Sequence, residues 1–117
     1  MNLREIARCA QLELLTPSLE TRLDVQVTGA HASDLLSDIL AAAPAGGIAI
    51  TVQAHLNTVA VALNARLAGV VFAAGRRPSP EVIDRAVEER VPLLLSQDGT
   101  FELSGKLYAH GLRGGRR

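Results

Sequence analysis

Between residues 48 and 110 the chain repeats one pattern three times: a short uncharged run, a polar turn, then apolar residues spaced for one helix face. The runs are Ile48–Val52, Ala68–Phe72 and Val91–Leu95. Runs of successive apolar residues belong to strands covered on both faces, the situation inside a parallel sheet. Leu56, Val59, Ala60, Leu63 and Leu67 follow the first run at helical spacing, and Val82, Ile83, Ala86 and Val87 follow the second. A last helix is predicted from about Asp98 to His110, ended by Gly111. Alternation of strands with crossover helices brings successive strands back parallel. The expected fold class is therefore α/β, a three-layer sandwich with a mostly parallel sheet and helices on both faces.

Local signals place the remaining elements. Leu3, Ile6, Ala7 and Ala10 mark a short amphipathic helix with Asn2 as its cap, and Leu12 to Leu15 reads as extended. Thr16-Pro17-Ser18 breaks the chain, and the alternation of Leu23, Val25 and Val27 predicts a strand over 23–28 ending at Gly29. Ser33 is placed to cap a helix with Leu35, Leu36, Ile39 and Leu40 as its stripe and Asp34 and Asp38 on another face. Ser79-Pro80 is a cap followed by proline at the first helical position. Glu81, Arg85 and Glu89 ladder along the outside of that helix. Pro92 is acceptable only near the start of the third run.

Length and composition limit the rest. A chain of 117 residues with 48% apolar content fills one core and not two. Twelve basic and twelve acidic side chains balance, but Arg113, Arg116 and Arg117 lie at the end, leaving residues 1–112 mildly acidic. One domain over 1–112 with a flexible basic tail at 113–117 is expected. Two Phe, one Tyr and no Trp offer little for base stacking, so no nucleic-acid partner is expected. Residues 39–65 carry no charge, but Pro44, Gly46, Gly47, Gln53, His55, Asn57 and Asn64 interrupt them, and no membrane association is expected. Cys9 is alone, so neither an intrachain disulfide nor a thiolate zinc site can form, and its apolar neighbours make it a small hydrophobe and not a nucleophile. With an acid and a base in Met1-Asn2-Leu3-Arg4-Glu5-Ile6, no export signal is read and a cytoplasmic location is expected.

In open parallel sheets ligands bind beyond the carboxyl ends of the strands, where connecting loops and helix N-termini converge. That rule selects Gly29, His31, Ser33 and Asp34 after the strand over 23–28, and Gln53, His55 and Asn57 after 48–52. It adds Gly75 and Arg76 after 68–72, and Ser96, Asp98 and Thr100 after 92–95. Such a rim, with imidazoles and guanidinium groups, suits an anionic or nucleotide-like ligand. Each element has a plainer role as well. His31 and His55 fill no metal-binding spacing, so no metal site is expected. Asp34 and Asp38 fit a helix start, Arg76-Arg77 a solvated loop, and Ser96, Asp98 and Thr100 the cap of the last helix. From Gly99 to Gly105-Lys106 the spacing is one residue too long for a phosphate-binding loop, and Leu107 stands where Ser or Thr is needed. No catalytic residue or cofactor is assigned.

Pro78-Ser79-Pro80-Glu81-Val82, Val91-Pro92-Leu93-Leu94 and Asp98-Gly99-Thr100-Phe101 resemble the second half of the DRTGG domain, a module related to the N-terminal domain of HPr kinase/phosphorylase. Gly29-Ala30-His31-Ala32-Ser33-Asp34-Leu35-Leu36-Ser37-Asp38 and Thr51-Val52-Gln53-Ala54-His55-Leu56-Asn57 resemble its short stand-alone bacterial branch. The resemblance runs from about residue 2 to 112. The Asp-Arg-Thr-Gly-Gly segment that names the family is missing, and Gln53-Ala54-His55-Leu56-Asn57 stands in its place, so no role of that turn carries over. The resemblance implies a regulatory or ligand-sensing module, elsewhere fused to phosphotransacetylases or to pyrophosphatases with nucleotide-sensing domains. It also implies dimer formation, and it does not imply kinase activity.

Residues and resemblance together predict a non-catalytic regulatory module that self-associates as a homodimer and senses a small anionic metabolite or nucleotide at the strand ends. The alternative is a protein-docking accessory subunit of a larger metabolic enzyme or sensor kinase. A small hydrolase or phosphotransfer enzyme using His31 or His55 lacks a triad pattern to support it.

Overall fold

Alternation hidden inside the apolar runs divides the molecule into three layers. The computed structural model describes residues 1–115; Arg116 and Arg117 lie outside the described residues. Strands β1 (Glu13–Leu14), β2 (Ala30–Ala32), β3 (Ile48–Thr51), β4 (Gly69–Phe72) and β5 (Leu93–Leu95) form one sheet in the order β1-β5-β4-β3-β2. β2 through β5 are mutually parallel, with Ala49 opposite Val70 and Val71 opposite Leu94, and β1 joins β5 antiparallel. Helices α1 (Leu3–Cys9), α2 (Leu36–Ala42), α3 (Leu56–Asn64), α4 (Pro80–Glu88) and α5 (Thr100–Ala109) cover both faces.

Successive strand residues point to opposite faces. Ile48, Ile50, Val71 and Leu94 pack with Leu3 and Ile6 of α1 and Leu103 and Leu107 of α5. Val70, Phe72, Leu93 and Leu95 pack with Val59 and Ala62 of α3 and Val82 and Ala86 of α4, while Ala49 meets Ile39 of α2. This is the expected three-layer α/β sandwich. No helix of the described residues is long and apolar enough to cross a membrane.

α1 begins in a capping box: Asn2 Oδ1 accepts from Glu5 N–H at 2.8 Å, and Glu5 Oε1 accepts from Asn2 N–H at 2.9 Å. Cys9 donates weakly to the Ile6 carbonyl, and burial pushes its thiol pKa up.

The predicted strand over 23–28 is not in the sheet. Pro17–Asp24 is a kinked 3₁₀ helix that buries Leu19 and Leu23, and the edge strand is Ala30–Ala32 instead. The extended stretch after it is real but serves another partner: Leu3 N–H donates to the Val25 carbonyl and Val27 N–H to that of Met1. Ser33 does not cap α2, whose N-cap is Leu35, and the predicted stripe is only partly inward, with Leu35 64% exposed. The last helix starts at Thr100 behind Gly99, so Ser96 and Asp98 precede its cap and no side chain caps it. Arg113 and Gly114, in the segment read as a tail, run beside β2, where the Arg113 carbonyl accepts from Ala30 N–H at 2.9 Å.

Candidate functional site

Because β2 to β5 run in one direction, their carboxyl ends open on one edge of the sheet. β3 and β4 feed a cleft there of about 530 Å3, lined by Val52, Gln53, Ala54, His55, Gly75, Arg76 and Arg77. Two loops make it. Residues 52–55 lead from β3 into α3, and residues 73–79 lead from β4 into α4.

The 74–75 turn has consecutive left-handed residues, Ala74 at φ 57° and Gly75 at φ 65°. The positive φ of Gly75 favours glycine, and a Cβ there would stand 2.8 Å from Gln97 Oε1, so the flexible end of that side chain would have to move aside. Ala74 N–H donates to the Asp98 carbonyl at 2.7 Å and Gly75 N–H to the Ser96 carbonyl at 2.8 Å, which ties the turn to the exit of β5. Ser96 Oγ accepts from Asp98 N–H, and Asp98 Oδ2 pairs with Lys106 Nζ at 2.6 Å. On the other side Asp34 Oδ1 accepts from Val52 N–H at 3.0 Å and from the Thr51 hydroxyl at 3.3 Å. Thr51 Oγ1 in turn accepts from Gln53 N–H.

The adjacent arginines part company. Arg77 forks onto Glu13 of β1, with Nη2 2.6 Å from Oε1 and Nη1 3.0 Å from Oε2. That bond holds the Glu13 carboxyl below its ordinary range and keeps the Arg77 proton more firmly bound. The Arg76 backbone N–H donates to the Ala73 carbonyl, but its guanidinium makes no hydrogen bond or ion pair among the described residues, and the residue is exposed. His55 is the N-cap residue of α3 but its ring caps nothing.

The structure thus brings Gln53, His55, Gly75 and Arg76 to one cleft, with Asp34, Ser96 and Asp98 supporting its walls from behind. The other predicted residues stand elsewhere. His31 lies within β2 and turns to α2, its Nε2 2.7 Å from Asp38 Oδ2. Ser33 Oγ accepts from Leu35 N–H. Asn57 lines a groove between α3 and α4, and Thr100 opens α5. Gly29 is corrected outright: it precedes β2, at the opposite edge, where its carbonyl accepts from Ile48 N–H. Sequence reasoning missed Val52 and Ala54, which carry no charge or ring to mark them.

Chemically the cleft offers one unpaired guanidinium, an imidazole and an amide. Its lining includes no carboxylate, hydroxyl or thiol side chain, so no nucleophile stands beside a base there. No group of three or more His, Cys, Asp or Glu among the described residues is placed to hold a metal ion.

No family model matches the sequence, and no curated protein matches it. Among solved structures, the chain is similar to the crystal structure of the CBS and DRTGG domains of the regulatory region of Clostridium perfringens pyrophosphatase, complexed with its activator, diadenosine tetraphosphate. The TM-score is 0.74 at 17% identity, over 91% of this chain and 45% of that one. The likeness is one of fold, and it supports the DRTGG-like domain read from the residues. This chain spans less than half of the structure that it matches.

Proposed function

We propose that this domain is a non-catalytic regulatory module that binds a small anionic or nucleotide-like ligand in the cleft at the carboxyl ends of β3 and β4. The observation that carries the reading is Arg76: a guanidinium without a partner among the described residues, beside His55 and Gln53 in a cleft without acidic side chains. A phosphate oxygen pair fits the guanidinium fork, and an imidazole or amide can donate a further hydrogen bond. Similarity in fold to a regulatory region solved with a nucleotide activator adds weight to the ligand class.

Thermal melting with adenosine mono-, di- and triphosphate, diadenosine tetraphosphate and inorganic phosphate tests it. At millimolar concentration at least one should raise the Tm, and Arg76→Gln should remove the rise. No rise with any of them, or a rise that survives Arg76→Gln, counts against the cleft.

Self-association belongs to the same proposal. Its support is the outer face of α5, where Phe101 is 86% and Tyr108 60% exposed, seven residues apart, with open space over Gly105 between them. Light scattering at tens of micromolar should report a dimer that Phe101→Glu dissociates; a monomeric wild type sinks this part alone.

A further inference from the structure

At the opposite edge of the sheet, three arginines surround a second cavity of about 540 Å3. Arg22, Arg66 and Arg90 line it with Thr21, Val25, Gly46, Leu67 and Ala68, at the amino-terminal ends of β3, β4 and β5. None of the three pairs with a carboxylate among the described residues, and no carboxylate lines the cavity. Among the other described arginines, Arg4 holds Glu20 and Asp24, Arg77 holds Glu13, Arg85 meets Glu89 and Arg113 lies over the Tyr108 ring, while Arg8 and Arg76 are unpaired; only at this cavity do three unpaired arginines line one hollow. Three like charges around one hollow repel one another and focus a positive potential into it.

A second, independent observation comes from the backbone. α1, α3, α4 and α5 all end in the same way, with a left-handed residue whose successor donates back five residues: Leu12 to Ala7, Leu67 to Ala62, Val91 to Ala86 and Leu112 to Leu107. That left-handed position favours glycine. α5 has glycine there, Gly111 at φ 105°, and α1 has Gln11 at φ 55°. α3 and α4 have Arg66 at φ 56° and Arg90 at φ 59°, and these are two of the three arginines on the cavity. The helix dipole favours a cation near a C-terminus, but it asks for no arginine at the one position where glycine is preferred.

We propose that this cavity is an oligophosphate site, distinct from the carboxyl-end cleft and independent of it. Guanidinium forks match phosphate oxygens two at a time, and three of them suit a chain of phosphates better than a single anion. The same chemistry is offered by inorganic tripolyphosphate and by the phosphates of a nucleoside triphosphate.

Isothermal titration of the full chain with tripolyphosphate, and separately with ATP, tests the site. Tripolyphosphate should bind saturably and more weakly as salt rises; measured in the Arg76→Gln variant, so that the carboxyl-end cleft does not contribute, ATP binding equally well assigns the site to nucleotides, and ATP failing assigns it to the free oligophosphate. Arg66→Gly and Arg90→Gly should each weaken binding at least tenfold while leaving the ligand-free Tm unchanged or higher, because glycine relieves the left-handed backbone. Arg22→Gln should weaken binding without touching that backbone, and Arg76→Gln should leave tripolyphosphate binding intact. The proposal is overturned by no tripolyphosphate binding at millimolar concentration, or by wild-type binding in the Arg66→Gly, Arg90→Gly double variant. Glycine variants that melt lower without ligand, or binding lost in Arg76→Gln, overturn it as well.

Discussion

His31, at the centre of the edge strand, meets Asp38 of α2 with Nε2 and Oδ2 2.7 Å apart. β2 is only three residues long and pairs with one strand, so this contact is a second tether between the sheet edge and the helix that covers it. It turns the imidazole away from the rim that sequence reasoning assigned to it, and it gives the still solvent-exposed Asp38 carboxylate a partner. Bonding to His31, then to Ser33, holds the Asp38 carboxyl below its ordinary range.

That pairing sets an acid limit. A carboxyl whose pKa is depressed on folding contributes stability above its unfolded pKa, about 4, and the contribution fades as pH falls through the lower folded value. The wild type should therefore melt above Asp38→Asn at neutral pH, and the gap should close below about pH 4. Melting curves of both proteins between pH 7 and pH 2.5 measure it; a gap that stays constant across that range refutes the tether.

The capping box is the second place where one side chain carries an element. α1 has seven residues, too few to stand without a cap or packing, and its Leu3 and Ile6 are fully buried against the sheet. Asn2→Ala should cost about 1 kcal/mol, with a range of about 0.5–2. Urea unfolding reads this directly, and a loss below a few tenths would mean that packing alone holds the helix.

The three strand and helix units were legible because their evidence is local. Uncharged apolar runs flanked by turns, with helical spacing after each, survive translation into structure within three residues at each end, the largest difference being Leu67, which lies past the end of α3 at Asn64. β2 was illegible for the converse reason: Ala30-His31-Ala32 has no β-branched residue, and its place at the edge is set by partners in β3 and around Gly114. Leu23, Val25 and Val27 mimic a strand because an extended stretch does exist, but its partner is the N-terminus, which no nearby pattern announces. Within the cleft, Gln53, His55, Gly75 and Arg76 were within reach because each sits a few positions past the carboxyl end of an apolar run. The split between Arg76 and Arg77 was not, since Glu13 lies 64 residues away from the arginine that it holds.

Phe72 tests the layer between the sheet and the α3–α4 pair. It is fully buried at the end of a central strand, among Val59, Val82, Leu93 and Leu95. Phe72→Ala should cost about 3–5 kcal/mol, a large share of the roughly 5–15 available to a small domain. Phe72→Leu should cost visibly less, because part of the volume remains. Equal losses for the two variants would place the effect in something other than the cavity left behind.

Asp34 shapes the cleft without lining it. Its Oδ1 takes both the Val52 N–H and the Thr51 hydroxyl, and the same hydroxyl oxygen takes the Gln53 N–H, so one carboxylate oxygen orders the backbone from residue 51 to 53. Asp34→Ala leaves the Val52 N–H without that acceptor and lets the wall relax, whereas Asp34→Asn keeps an oxygen in place. For whichever nucleotide raises the wild-type Tm, Asp34→Ala should weaken affinity about five- to tenfold, the worth of roughly one hydrogen bond. Asp34→Asn should stay close to wild type, and amide NMR shifts at Val52 and Gln53 should move in the alanine variant even without ligand. If alanine and asparagine behave alike in both measurements, the carboxylate is not what positions that wall.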